Sequence, residues 1–206
     1  MRALLAAALL LAVAAAQAQG DTERLFQAIA EGKEPVAAVL VLGGKVDVQA
    51  RNASRETPLH VAAEKGMRAL TRLLLDAGAS VRARTSTGET PLHLAALPAD
   101  PACAALLLDA GAVPLARNDE GESALHWAAL SGNAATVRLL LERGADPDIA
   151  DLRGNTALHG AAFGGNVETV RLLLRRARTP GAKNLDGETA QDLARERGHE
   201  EVVKLF

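Results

Sequence analysis

The 206 residues predict an all-α solenoid of about six helix-turn-helix units joined by β-turn fingers. Three observations carry that expectation. Thr57, Thr90, Ser123, Thr156 and Thr189 open similar stretches exactly one period apart, 33 residues each time, and a fixed period of this length marks a repeat array. Within each period a helix-starting residue and a helix-ending glycine recur, so the helices are punctuated alike. The chain is 49% hydrophobic but only 2% aromatic, which suits thin layers filled by Ala and Leu. No such unit can bury its own faces, so neighbours must stack into one continuous core.

In chain order, residues 1–18 read as a secretory signal peptide. MRALLAAALLLAVAAAQA has one positive charge at Arg2, an apolar run from Ala3 to Ala16 and small residues at Ala16 and Ala18. The run falls short of the roughly 20 residues a membrane span needs, so stable membrane insertion is not expected. The repeat domain then occupies 19–206. TERLFQAIAEGK, Thr22 to Lys33, belongs to an N-terminal cap over 21–56. Four central units follow, 57–89, 90–122, 123–155 and 156–188, and a C-terminal cap spans 189–206.

The unit 57–89 shows the logic. Thr57 suits an N-cap and Pro58 the first helical position, where a missing N–H costs nothing. Leu59, Ala62 and Ala63 line one side, and Gly66 ends the helix. Met67 to Ala77 forms a second helix with Leu73, Leu74 and Leu75, stopped by Gly78. ASVRARTSTGE is too polar and turn-rich to be helical, and makes the finger. The alanine pair returns at Ala95 and Ala96, Ala128 and Ala129, and Ala161 and Ala162, because adjacent helices approach closely only over small side chains. Leucine triplets starting at Leu106, Leu139 and Leu172 fill the space behind. Two departures are expected to matter. Ala99, between Pro98 and Pro101, replaces the inter-helix glycine, so that turn should be reshaped, with Asp100 capping the second helix. Ala177 and Pro180 replace the glycine-ended second helix of 156–188, where a looser finger is expected.

TPLHVAAEKG, TPLHLAALPAD, SALHWAALSGN and TALHGAAFGGN resemble the ankyrin repeat signature. The resemblance covers nearly all of 19–206, with Asp192 standing in the histidine slot of the last unit. It implies a non-enzymatic protein-binding module that uses its finger tips and the concave face of its first helices. It also implies that His60, His93, His126 and His159 hydrogen-bond backbone groups and tie successive turns together. The metal reading fails independently. Neighbouring layers lie roughly 10 Å apart, whereas zinc needs ligands about 2 Å from one shared ion.

No catalytic residue, metal ligand or cofactor is expected. The sequence lacks GxSxG, GxxxxGK[ST], GxGxxG, HExxH and CxxC, and DPDIAD at Asp146 to Asp151 lacks the glycine and glutamate of a calcium loop. Cys103 is the only cysteine, so no internal disulfide can form, and its repeat column predicts a buried, inert thiol. An envelope hydrolase or redox enzyme using it is the weakest reading. Without Arg2, 22 basic and 25 acidic residues leave a net charge of −3, with signs interspersed and no basic stripe for nucleic acid. Arg171, Arg175, Arg176 and Arg178 read as a solvated helix end.

Partner contacts are expected where the repeat does not dictate the residue. The column after the alanine pair reads Glu64, Leu97, Leu130, Phe163. Its three apolar members would form an exposed stripe about 20 Å long. The column before each helix reads Glu56, Glu89, Glu122, Asn155, Glu188, and its acids are partly explained by the helix dipole. The tips add Asp119 and Glu120, then Leu152 and Arg153. An apolar floor with an acidic edge fits a protein presenting apolar side chains framed by Lys or Arg. Trp127 aligns with Val61 and Leu94 and reads as framework before contact. The chain is expected to be an exported monomer, in the periplasm of a Gram-negative bacterium, that restrains or stabilises an envelope enzyme or toxin or aids stress resistance. A self-associating scaffold is the alternative.

Overall fold

The computed structural model describes residues 19–206, and the expected signal peptide, 1–18, lies outside the described residues. Six helix pairs follow one another. They are α1 (residues 19–30) with α2 (Glu34–Leu42), α3 (Pro58–Glu64) with α4 (Arg68–Asp76), and α5 (Pro91–Leu94) with α6 (Ala102–Asp109). Then come α7 (Ala124–Leu130) with α8 (Ala134–Glu142), α9 (Ala157–Phe163) with α10 (Val167–Leu174), and α11 (Ala190–Glu196) with α12 (Glu200–Val203). Fingers join the pairs, and among the described residues they contain only isolated antiparallel bridges, Ala150 with Thr156 and Lys183 with Thr189. The array is an all-α solenoid.

The alanine pairs from Ala62 to Ala162 are fully buried, as are Leu59, Leu74, Leu107, Leu125, Leu140 and Leu173, in one core that runs the length of the array. The second helices close with paired bonds. Ala145 N–H reaches Leu140 O at 2.9 Å and Gly144 N–H reaches Leu141 O at 3.3 Å, with Gly144 at φ +89°. That is the left-handed closure in which glycine is favoured.

Three hydrogen-bond ladders run between successive pairs. The first answers what the histidines do. His60 Nδ1 accepts the Thr57 N–H at 3.1 Å, and Nε2 faces, at 3.2 Å, the carbonyl of Glu89, the last finger residue before the next unit begins at Thr90. A carbonyl only accepts and a backbone N–H only donates, so the ring is neutral with its proton on Nε2. His93, His126 and His159 repeat the arrangement toward Glu122, Asn155 and Glu188. Burial pushes all four below the usual histidine pKa, which agrees with the neutral form.

The second ladder links finger tips. Ser86, Asp119, Leu152 and Leu185 donate backbone N–H to Ser54, Thr87, Glu120 and Arg153 at 2.9 to 3.0 Å. The third was not anticipated. Asn133 Nδ2 caps the Ala96 and Leu97 carbonyls, Asn166 Nδ2 caps those of Ala129 and Leu130, and His199 Nε2 meets that of Phe163 at 3.1 Å. Carbonyls left open at the end of one helix are thus satisfied by the next unit.

The two departures resolve differently. In the Pro98 unit, α5 is a single turn of four residues, and Asp100 Oδ1 accepts the Ala102 N–H at 2.9 Å to start α6. The turn is reshaped, as its sequence implies. The finger after α10 is not loose. Asp148 accepts the Arg178 N–H and Nε at 3.0 and 2.8 Å and the Thr179 hydroxyl at 3.0 Å, while Asp146 pairs with Arg178 Nη2 at 3.0 Å. Partial burial opposes ionisation of Asp148, but these donors outweigh it and hold the carboxyl at about 2. The acidic run DPDIAD therefore replaces the missing glycine closure with a clamp between fingers. Cys103 is buried, with Sγ 3.5 Å from Thr71 Oγ1, and burial pushes its pKa up.

Candidate functional site

The first helices and the fingers form one face of the array. On it Leu97, Leu130 and Phe163 are 40, 52 and 38% exposed, large apolar groups that the core does not take. Each follows a fully buried alanine pair, so the packing that seats the helix leaves the next side chain outside. Leu152 is also exposed, at the tip of the neighbouring finger.

Toward the C-terminal end this face deepens into a cavity of about 440 Å³. Its apolar part is made by Leu130, Gly160, Phe163 and Leu193, with Leu152 at the finger. Its polar part carries Glu120, Glu122, Asp151 and Arg153. Of the residues singled out from sequence, Leu130, Phe163, Glu120, Glu122, Leu152 and Arg153 therefore meet in one place. Leu97, Glu89 and Asp119 do not line it.

Glu89 and Asp119 have local partners instead. Glu89 accepts the hydroxyls of Thr85 and Thr87 within its own finger. Burial opposes ionisation of Glu89, but those bonds prevail and its pKa is lowered. Asp119 pairs with Arg84 at 3.1 Å. Glu122 is held too, since its Oε2 accepts Asn118 Nδ2 at 3.0 Å and the Trp127 indole N–H at 2.7 Å. Trp127 also meets the His93 ring edge-on, with centroids 5.8 Å apart. It is braced toward the preceding unit, as a framework residue should be.

Three lining residues escaped sequence reasoning. Asp151 anchors its finger through Oδ1, which accepts the N–H groups of Arg153 and Asn155 at 2.9 and 2.7 Å. Leu193 and Gly160 belong to one repeat column, Val61, Leu94, Trp127, Gly160, Leu193. Listing that column to its end would have exposed the glycine as the one member without a side chain. Arg197 lies over the Phe163 ring, 3.8 Å from its centroid, and reinforces the C-terminal wall.

Among the described residues no group of three or more His, Cys, Asp or Glu is placed to hold a metal ion. Among them, too, no helix is long and apolar enough to cross a membrane. A family model described as ankyrin repeats (3 copies) matches residues 14–118, 88–151 and 125–206. No curated protein matches the chain significantly. The matched segments, the helix pairs and the histidine ladder agree, and the chain belongs to the ankyrin repeat family, whose arrays are protein-interaction modules and in general non-enzymatic scaffolds.

Proposed function

We propose that this chain is a non-enzymatic binding module that receives a partner protein on the concave face of its C-terminal half. The observation that carries the reading is the convergence of exposed Leu130, Phe163 and Leu152 on one cavity edged by Glu120, Glu122 and Arg153. Solvent-exposed apolar groups gathered around a concavity are what an interface buries. Leu97 extends the apolar row at the N-terminal side. The fitting partner presents apolar side chains framed by Lys or Arg.

The alanine-rich segment at Ala3 to Ala16 supports export, with the periplasm of a Gram-negative bacterium as the compartment. There the module would restrain or stabilise an envelope enzyme or toxin, or aid stress resistance. The test is affinity capture from the native envelope with the wild type beside a folded Leu130→Glu, Phe163→Glu variant. One envelope protein kept by the wild type and lost by the variant is the expected result. The same proteins kept by both would remove the groove from consideration. Sedimentation of the purified protein is expected to give a monomer, and a concentration-dependent dimer would favour self-association through the apolar row.

A further inference from the structure

We infer that Gly160 opens an anchor pocket for a single arginine side chain of the partner, a step that rests on the binding reading above. The glycine is not there for the backbone. It sits in the middle of α9, outside the left-handed region, and a Cβ built on it would meet Leu130 Cβ, Leu130 N and His126 O at 3.5, 3.6 and 3.7 Å, ordinary contacts. Any residue would fit at its first carbon. Glycine in a helix interior lowers stability relative to alanine, and the corresponding slots hold Val61, Leu94, Trp127 and Leu193. Nor does Trp127 fill the space. Its ring is braced by Glu122 and His93 on the side of the preceding units, and it does not line the cavity. The fold thus forgoes packing at Gly160 and gains an opening.

The shape and charge of the opening specify its occupant. Its floor is apolar, from Leu130, Phe163 and Leu193, and suits a methylene stem. Three carboxylates, Glu120, Glu122 and Asp151, stand against one lining cation, Arg153. They retain capacity to accept. Glu122 uses Oε2 for both its bonds, Asp151 uses chiefly Oδ1, and Glu120 makes no side-chain hydrogen bond or ion pair among the described residues. Acceptors spread over several residues favour the five-donor guanidinium over the compact ammonium of lysine. The volume, about 440 Å³, holds such a side chain together with its flanking backbone.

The probe is a capped pentapeptide, acetyl-Gly-Gly-Arg-Gly-Gly-amide, titrated at low salt into the ¹⁵N-labelled protein beside its Lys, Leu and Glu counterparts. The arginine peptide is expected to shift the amides of Leu130, Gly160, Phe163 and Leu193, and to bind roughly tenfold more tightly than the leucine and glutamate peptides. Gly160→Leu should abolish these shifts while raising the melting temperature, so a binding loss cannot be misfolding. Glu120→Gln should weaken the arginine peptide and leave the leucine peptide unchanged. An arginine peptide that shifts none of these amides, or that binds Gly160→Leu unchanged, overturns the inference. So does a leucine peptide that binds as well as arginine. The two readings fail separately. If the captured envelope protein is lost by Leu130→Glu, Phe163→Glu but kept in full by Gly160→Leu, the groove stands and the arginine anchor falls.

Discussion

Units 123–155 and 156–188 are built on the same plan, and two of the positions at which they differ set them apart most. Both begin with a hydroxyl-capped turn, carry a neutral histidine that bonds the last finger residue before the next unit, and bury an alanine pair. One has Trp127 and closes its second helix on Gly144, whereas the other has Gly160 and ends its second helix without a glycine. The shared residues satisfy backbone groups and exclude space, so every unit needs them. The differing ones are free of that demand. One of them, Gly160, opens the cavity, and the other is compensated from outside its unit by Asp148.

The largest effects should come from breaking what the two units share. His126→Ala and His159→Ala each leave one buried N–H, of Ser123 or Thr156, without its partner, at about 1 to 3 kcal/mol, and remove one of the two bonds to the Asn155 or Glu188 carbonyl. Both should lower the urea midpoint by similar amounts. Acid probes the same ladder in the wild type. The folded-state pKa values of all four histidines lie below the unfolded value, so the unfolded chain takes up more protons. Stability is therefore complete above about pH 6.5 and falls as pH drops through that value, by up to about 1.4 kcal/mol per pH unit for each histidine. A urea midpoint equal at pH 7 and pH 5 would contradict the neutral ladder.

Next in size is the closure that only one unit has. Gly144→Val puts a β-branched residue at φ +89° and should cost more than about 1 kcal/mol. An unchanged midpoint would show that the helix end tolerates side chains. The unit without that glycine should respond instead to Asp148→Ala, which removes the clamp on Arg178 and Thr179, at about 1 kcal/mol. Its acid signature differs from that of the histidines. With a folded pKa of about 2, the Asp148 contribution is present above the unfolded carboxylate value, about 3.9, and is lost as pH falls toward 2. The smallest effect has the opposite sign: Gly160→Ala should stabilise by about 0.5 to 1 kcal/mol, and a loss would mean that the backbone needs the glycine.

Most of the fold was legible because the residues that make it recur. Thr57 and its counterparts, the alanine pairs, the leucine triplets and the glycines declare themselves through the period. Four equivalent copies argued against a metal or catalytic histidine, and the family resemblance supplied the backbone-bonding role. What lay hidden joins residues far apart in sequence without repeating. Asp148 and Arg178 are separated by 30 positions and occur as a pair once, so the finger expected to be loose is clamped. Arg55 adopts φ +61° in the slot that glycine fills in the later fingers, at Gly88 and Gly121, and nothing in its residue type signals that. The apolar half of the site was visible as the Leu130 and Phe163 row. The cavity was not, because its cause is the missing side chain at Gly160, and a residue-type pattern displays groups that are present.

The central claim is that binding is concentrated in the C-terminal groove and not spread along the apolar row. Leu97 and Leu130 occupy the same column and are both exposed, but only Leu130 lines the cavity. The most direct test is the dissociation constant of the captured partner for Leu97→Glu and for Leu130→Glu, with the melting temperature of each as a control. A loss of roughly tenfold or more for Leu130→Glu, beside a change of no more than about twofold for Leu97→Glu, is the result this account predicts. Equal losses at the two positions, or a loss at Leu97 alone, would contradict it.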